Sequence, residues 1–129
     1  MYRTLEFKSE YPDEWQFDQE DNPIGPGSRE LADEIAARLA EYASVISSVE
    51  QHSYYGWGFE TRYENCTFYQ VLNPADGDCY FTIQCLGYWL RKLLFKKPRQ
   101  TFGRYCDVVD QALRRIPQIS DLKWGDFRS

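Results

Sequence analysis

Tyr54-Tyr55-Gly56-Trp57-Gly58-Phe59 is the stretch on which the fold turns, because a two-residue period begins inside it. Side chains alternate between the two faces of a strand. Trp57, Phe59, Thr61 and Tyr63 therefore share one face, and Glu60, Arg62 and Glu64 share the other. Rings opposite charges describe a strand with one side in a core and one in water. Gly56 and Gly58 leave the polar side bare, so another backbone, or a ring such as Tyr69 or Tyr80, is expected to approach closely there. The period continues downstream. Glu64-Asn65 predicts a tight turn into a strand over 66–72, and Asn73-Pro74-Ala75-Asp76-Gly77 predicts a second turn. Cys79, Phe81, Ile83 and Cys85 then form one apolar stripe, and the β-branched run over 45–52 predicts a strand upstream. Four strands joined by short turns imply an antiparallel meander.

Helical periods flank it. Ser28 is placed as an N-cap, with Glu30 in the first turn, where a carboxylate suits the helix dipole. Leu31, Ile35, Leu39 and Tyr42 recur at helical spacing and predict a helix over 29–43. Leu86, Trp89, Leu90, Leu93 and Leu94 fit a helix that Pro98 ends, and a last helix is predicted over 101–115. Its inner stripe is Phe102, Tyr105, Cys106, Val109, Leu113 and Ile116. Residues 2–8 predict a short edge strand and residues 119–124 a closing one. Residues 9–27 hold Pro12, Pro23, Pro26 and much of the acid, and read as a surface loop pinned by Trp15 and Phe17. The predicted class is α+β: an antiparallel β-meander of about four to five strands, with an N-terminal helix and C-terminal helices packed on one face.

A chain of 129 residues is the size of a single domain, and such a domain buries roughly two-thirds of its extended surface. Aromatic residues make up 17% of it against a single Met, which argues for a packed core rather than a disordered chain. No run of about 18 apolar residues exists, and Met1-Tyr2-Arg3-Thr4-Leu5-Glu6-Phe7-Lys8 lacks a signal-peptide core. A cytoplasmic location is therefore expected. Cys66, Cys79, Cys85 and Cys106 show no CxxC spacing, so reduced, buried thiols are the simplest expectation, ahead of a disulfide or a zinc site. The net charge of −5 is uneven: residues 1–64 carry fourteen acidic and five basic side chains, residues 65–129 six and ten.

Catalytic patterns are absent from the sequence. His52 is the single histidine, with no nucleophile or base at a recognisable spacing. No GxSxG or phosphate-binding loop occurs. Asp18-Gln19-Glu20-Asp21-Asn22 begins like a calcium loop, but Pro23 replaces the required Gly and Arg29 the terminal Glu. No metal and no cofactor are expected, and a non-enzymatic role is favoured over an enzymatic one. Arg91, Lys92, Lys96, Lys97, Arg99 and Arg104 form a basic patch among Phe95 and Phe102, a pattern that can bind nucleic acid. A sequence pI near 4.9 weighs against that reading.

A larger pattern adds to this. Gly25-Pro26-Gly27-Ser28 leads into an Ala/Leu-rich helix, followed by a β-branched strand, Tyr55-Gly56-Trp57-Gly58-Phe59, a meander, a final helix and Leu122-Lys123-Trp124. Over residues 23–126 the chain resembles a set of small bacterial cytoplasmic α+β proteins, some of them suspected toxin-immunity proteins. The resemblance implies a protein partner and carries over no catalytic residue. Abundant Tyr and Trp suit protein recognition, and an acidic arm suits a cationic partner. The leading expectation is thus a non-enzymatic protein-binding domain, acting as monomer or homodimer, that meets its partner through Trp15, Asp18, Glu20, Asp21, His52, Tyr54 and Tyr55. Two alternatives stand beside it: a ligand-binding or enzymatic pocket lined by Trp57, Tyr69, Tyr80 and His52, and nucleic-acid binding through residues 91–104.

Overall fold

The computed structural model describes residues 1–12, 16–25, 27–52, 56–75, 77–88 and 98–128, with side chains described for all of these except 16, 23–25, 87, 88 and 98. Along the chain run β1 (Tyr2–Ser9), β2 (Gln16–Phe17), β3 (Pro23–Gly25), α1 (Arg29–Leu39), β4 (Ser44–Val45), β5 (Glu50–His52), β6 (Gly56–Tyr63), β7 (Cys66–Ala75), β8 (Asp78–Tyr88), α2 (Pro98–Arg114) and β9 (Ile119–Trp124). Seven strands form one antiparallel sheet in the order β4-β6-β7-β8-β1-β9, with β5 also paired to β6. β2 and β3 pair separately. The protein is α+β, with one helix near the N-terminus and one near the C-terminus among the described residues.

Two hairpins build the centre of the sheet. β6 turns into β7 through Glu64 and Asn65, whose φ angles of 47° and 63° are the positive values that a two-residue hairpin favours. β7 and β8 pair up to Ala75↔Asp78, and Gly77, just before β8, has φ 86°. β7 runs past its expected end at 72 and includes Pro74, which faces Cys79 of β8. The described β6–β7 ladder starts at Trp57↔Leu72, so Pro74 lies beyond the stretch that β6 accompanies. Its missing donor is therefore tolerated.

The alternation read in β6 is realised. Trp57, Phe59 and Thr61 are buried, as are Cys66, Phe68, Gln70 and Leu72 opposite them on β7, and Phe81 and Ile83 on β8. Against this face pack Leu31, Ala32, Ile35 and Leu39 of α1, and Phe102, Tyr105, Cys106, Val109 and Leu113 of α2, with Ile116 just beyond it. The Trp57 indole donates to the Gly27 carbonyl at 2.9 Å and fixes the lead-in to α1. Tyr105 stacks on Phe68 with centroids 4.1 Å apart. Its hydroxyl meets Thr61 Oγ1 (2.6 Å) and donates to Gln70 Oε1 (2.5 Å), while Gln70 Nε2 donates to the Phe59 carbonyl (3.0 Å). Each of these buried polar groups thus has a partner, the condition for tolerating them in a core.

Several expectations are corrected. The sheet has seven strands rather than four to five, because β1 and β9 join it and the predicted 45–52 strand divides. That division has a local cause: the Glu60 amide donates to the Ser47 hydroxyl (2.8 Å), so a side chain replaces backbone in the ladder between β4 and β5. β1 is interior, lying between β8 and β9, and β9 is the edge. Ser28 does not cap α1 with its side chain. Its φ of 65° turns the hydroxyl toward the Pro12 carbonyl (3.4 Å), away from the helix amides a capping oxygen must reach. α1 also ends at Leu39 rather than 43, closing in turns over 40–43. The helix expected from Leu86 is overridden at its start, since β8 continues to Tyr88, while residues 89–97 lie outside the described residues. Within the predicted loop 9–27, β2 and β3 pair as a small hairpin.

Candidate partner-binding surface

The helices cover one face of the sheet. The other face carries the residues of opposite parity: Glu60 and Arg62 on β6, Tyr69 and Val71 on β7, Tyr80 and Thr82 on β8, and Thr4 and Glu6 on β1, all partly or well exposed. One-sided antiparallel sheets allow this. Where β1 meets β9, the same face dips into an open depression of about 350 Å³ lined by Tyr2, Glu6, Tyr80, Lys123, Trp124 and Arg128, among others. No motif marked it in the sequence, since β1 reads there as an isolated edge strand. Its walls are brought together by the β8-β1-β9 order alone.

His52 ends β5 opposite Gly56, on this exposed face. Its Nδ1 lies 2.9 Å from the Tyr69 hydroxyl, with the rings tilted at 56° and their centroids 5.6 Å apart. Gly58 permits this, because a Cβ there would collide with the Tyr69 hydroxyl. The close approach expected over the two glycines is made by the Tyr69 ring at Gly58 and by the Leu72 carbonyl and Asn73 at Gly56. Burial, followed by the carboxylates of Glu60 and Glu50, holds the Tyr69 phenol above its ordinary pKa. The phenol stays protonated at neutral pH, available for its hydrogen bond with His52 Nδ1. The pocket envisaged for Trp57, Tyr69, Tyr80 and His52 does not assemble. Trp57 stands on the helix-covered face, and Tyr80 pairs with Asn73, four positions along β7 from Tyr69.

The acidic group sits on the β2–β3 hairpin. Asp18 accepts hydrogen bonds from the amides of Glu20 and Asn22, each at 2.9 Å. The Asn22 amide, ahead of that of Glu20, draws the Asp18 carboxyl below the usual carboxylate range. Asp21 adopts φ 61°, a left-handed value that Asp tolerates. Asp18, Glu20 and Asp21 are all exposed, and none forms an ion pair with a described residue. Phe17 does not pin the segment down: it is 55% exposed, just ahead of the three carboxylates in the β2–β3 connection. Its place in a two-stranded hairpin separate from the main sheet is not legible from residue spacing.

Other predicted site residues divide. Trp15, Tyr54, Tyr55, Arg91, Lys92, Lys96 and Lys97 lie outside the described residues. Arg99 is exposed in the first turn of α2, whereas Arg104 is held by Glu64, Nη2 to Oε2 at 2.7 Å. Among the described residues, no group of three or more His, Cys, Asp and Glu side chains could hold a metal ion, and no helix is long and apolar enough to cross a membrane. No protein-family model, curated protein or solved structure matches the chain.

Proposed function

We propose that this chain is a non-enzymatic protein-binding domain of the inhibitor or immunity type, which meets a basic partner through its β2–β3 hairpin. The observation that carries this reading is Phe17, 55% exposed, next to Asp18, Glu20 and Asp21 without an ion-paired cation among the described residues. An exposed ring ringed by carboxylates suits a partner offering an apolar pocket rimmed by Lys or Arg: the ring contributes buried area, and the charges steer the encounter. The net charge of −5 acts in the same direction.

Calorimetry against the polypeptide encoded beside this chain tests the proposal. The expected result is a 1:1 complex with Kd of about 10 nM or tighter. Phe17→Ser and the double change Glu20→Gln/Asp21→Asn should each weaken it about tenfold without moving the thermal midpoint, the second mainly through the association rate. Absence of binding, or binding indifferent to all three positions, overturns it.

A further inference from the structure

Three of the four cysteines are fully enclosed in the core, and the fourth, Cys85, is partly exposed. Cys66 opens β7 and Cys85 lies near the end of β8, with their sulfurs 3.5 Å apart. The two residues lie diagonally across the β7–β8 ladder, next to a bulge. Thr67 pairs with Gly87 but Phe68 with Cys85, so Leu86 is an extra residue on β8 and is turned outward, 47% exposed. Cys85, opposite Phe68, continues the inner stripe of Phe81 and Ile83 and so shares a face with Cys66. Cys106 is a contrasting case: burial, ahead of the opposing effect of Arg3, pushes its thiol up to about 12, where it is a poor nucleophile.

We propose that Cys66 and Cys85 are a modification site, a cross-strand dithiol that a small disulfide such as glutathione disulfide converts to an intramolecular disulfide. Cys85, the accessible member, loses its proton to solvent and attacks one sulfur of glutathione disulfide. That S–S bond breaks, and the departing glutathione thiolate takes up a proton. Cys66, already in contact, then gives its proton to solvent and attacks the Cys85 sulfur of the mixed disulfide. The second glutathione leaves as thiolate and is protonated. Two protein thiols are oxidised, and one glutathione disulfide is reduced to two thiols. Forming the bond closes the sulfurs from 3.5 Å to a bonded separation of about 2.05 Å. The bond would staple β7 to β8 at the end opposite their turn, beside the Glu64–Arg104 pair. This inference stands apart from the proposed binding role.

The test incubates the full chain with glutathione disulfide, quenches with an alkylating agent and maps the peptides by mass spectrometry. The native protein should give a 66–85 cross-link and a thermal midpoint raised by about 5 °C, lost on adding dithiothreitol. Cys66→Ala should accumulate glutathione on Cys85 at least about tenfold above the native chain, since the resolving thiol is gone. Cys85→Ala should show neither product. A stable adduct on native Cys85 without the cross-link, a cross-link through Cys79 or Cys106, or no reaction at all overturns the proposal. Should Cys66→Ala fail to fold, phenylarsine oxide on the native chain decides. One equivalent protects Cys66 and Cys85 together from alkylation if they form a dithiol, and protection of neither overturns it.

Discussion

Gly56 and Gly58 stand two positions apart on one strand and are required for different reasons. A Cβ on Gly56 would meet the Leu72 carbonyl at 2.8 Å and Asn73 Oδ1 at 2.5 Å, whereas one on Gly58 meets the tip of Tyr69. A paired backbone carbonyl cannot yield without breaking the sheet, but a ring tip can swing aside. Gly56→Ala should therefore lose about 1–3 kcal/mol, the range for overpacking, and Gly58→Ala less than about 1. In a Tyr69→Ala background the Gly58→Ala change should become neutral or favourable, as strand alanine outperforms glycine once space exists. Urea unfolding of the single and double variants measures this, and the reverse ranking would refute it. The glycines' bare face is visible in the spacing of the sequence. That Tyr69 rather than Tyr80 fills it follows from register, Glu60↔Tyr69 against Asn73↔Tyr80, which no local pattern encodes.

At the scale of elements, β9 governs how the sheet ends. As the outermost strand it presents unpaired backbone groups, a template for pairing with other chains. Two features blunt it. Asp121 has φ 57° and sits in a bulge, since Glu6 pairs with Lys123 but Lys8 with Ser120. Asp121 and Lys123 are also exposed charges. Bulges and edge charges both discourage edge-to-edge association. Replacing both with valine should lower stability by about 1–2 kcal/mol, because a β-branched residue resists the left-handed conformation. It should also produce concentration-dependent self-association by sedimentation velocity. A variant that stays monomeric at high concentration would show that the edge is protected by something else. Residues 119–124 were legible as a strand, but their edge position was not. The strand expected at an edge, β1, is interior because the chain's two ends meet, as in the Tyr2 and Arg128 backbone hydrogen bonds of 2.8 Å.

For the molecule as a whole, the buried Tyr105–Thr61–Gln70 group ties α2 to the centre of the sheet and links stability to pH. Burial raises the Tyr105 phenol above its ordinary value and likewise raises the Cys106 thiol. A phenol in the unfolded chain ionises near pH 10. Above that pH the unfolded state has released a proton that the folded state still holds, so alkali favours unfolding. The stability contributed by Tyr105 is complete below about pH 10 and falls as pH rises toward the elevated folded value. Tyr105→Phe should lose about 1–3 kcal/mol at pH 8, through the unpaired acceptors left behind. It should also flatten the decline between about pH 10 and 11, with Cys106 leaving a residual slope. Urea midpoints at both pH values measure this, and an unchanged slope would remove Tyr105 as the cause.

The sequence by itself determined the parts that local periodicity controls. These are the alternation of β6 and β8, the Glu64-Asn65 turn, the stripes of α1 and α2, and the bounds of β9. Each depends on contacts within a few residues or on one face's demand for burial, and both leave a repeat in the residue types. Tertiary structure alone decided what depends on pairing between distant segments: β1 between β8 and β9, the division of the 45–52 strand by Ser47, and which sheet face the described helices cover. Phe17 exposed on its own hairpin and the diagonal Cys66–Cys85 contact across the β7–β8 ladder belong to the same class. Register and strand order are set by summed long-range packing, and a shift of one residue reverses every face.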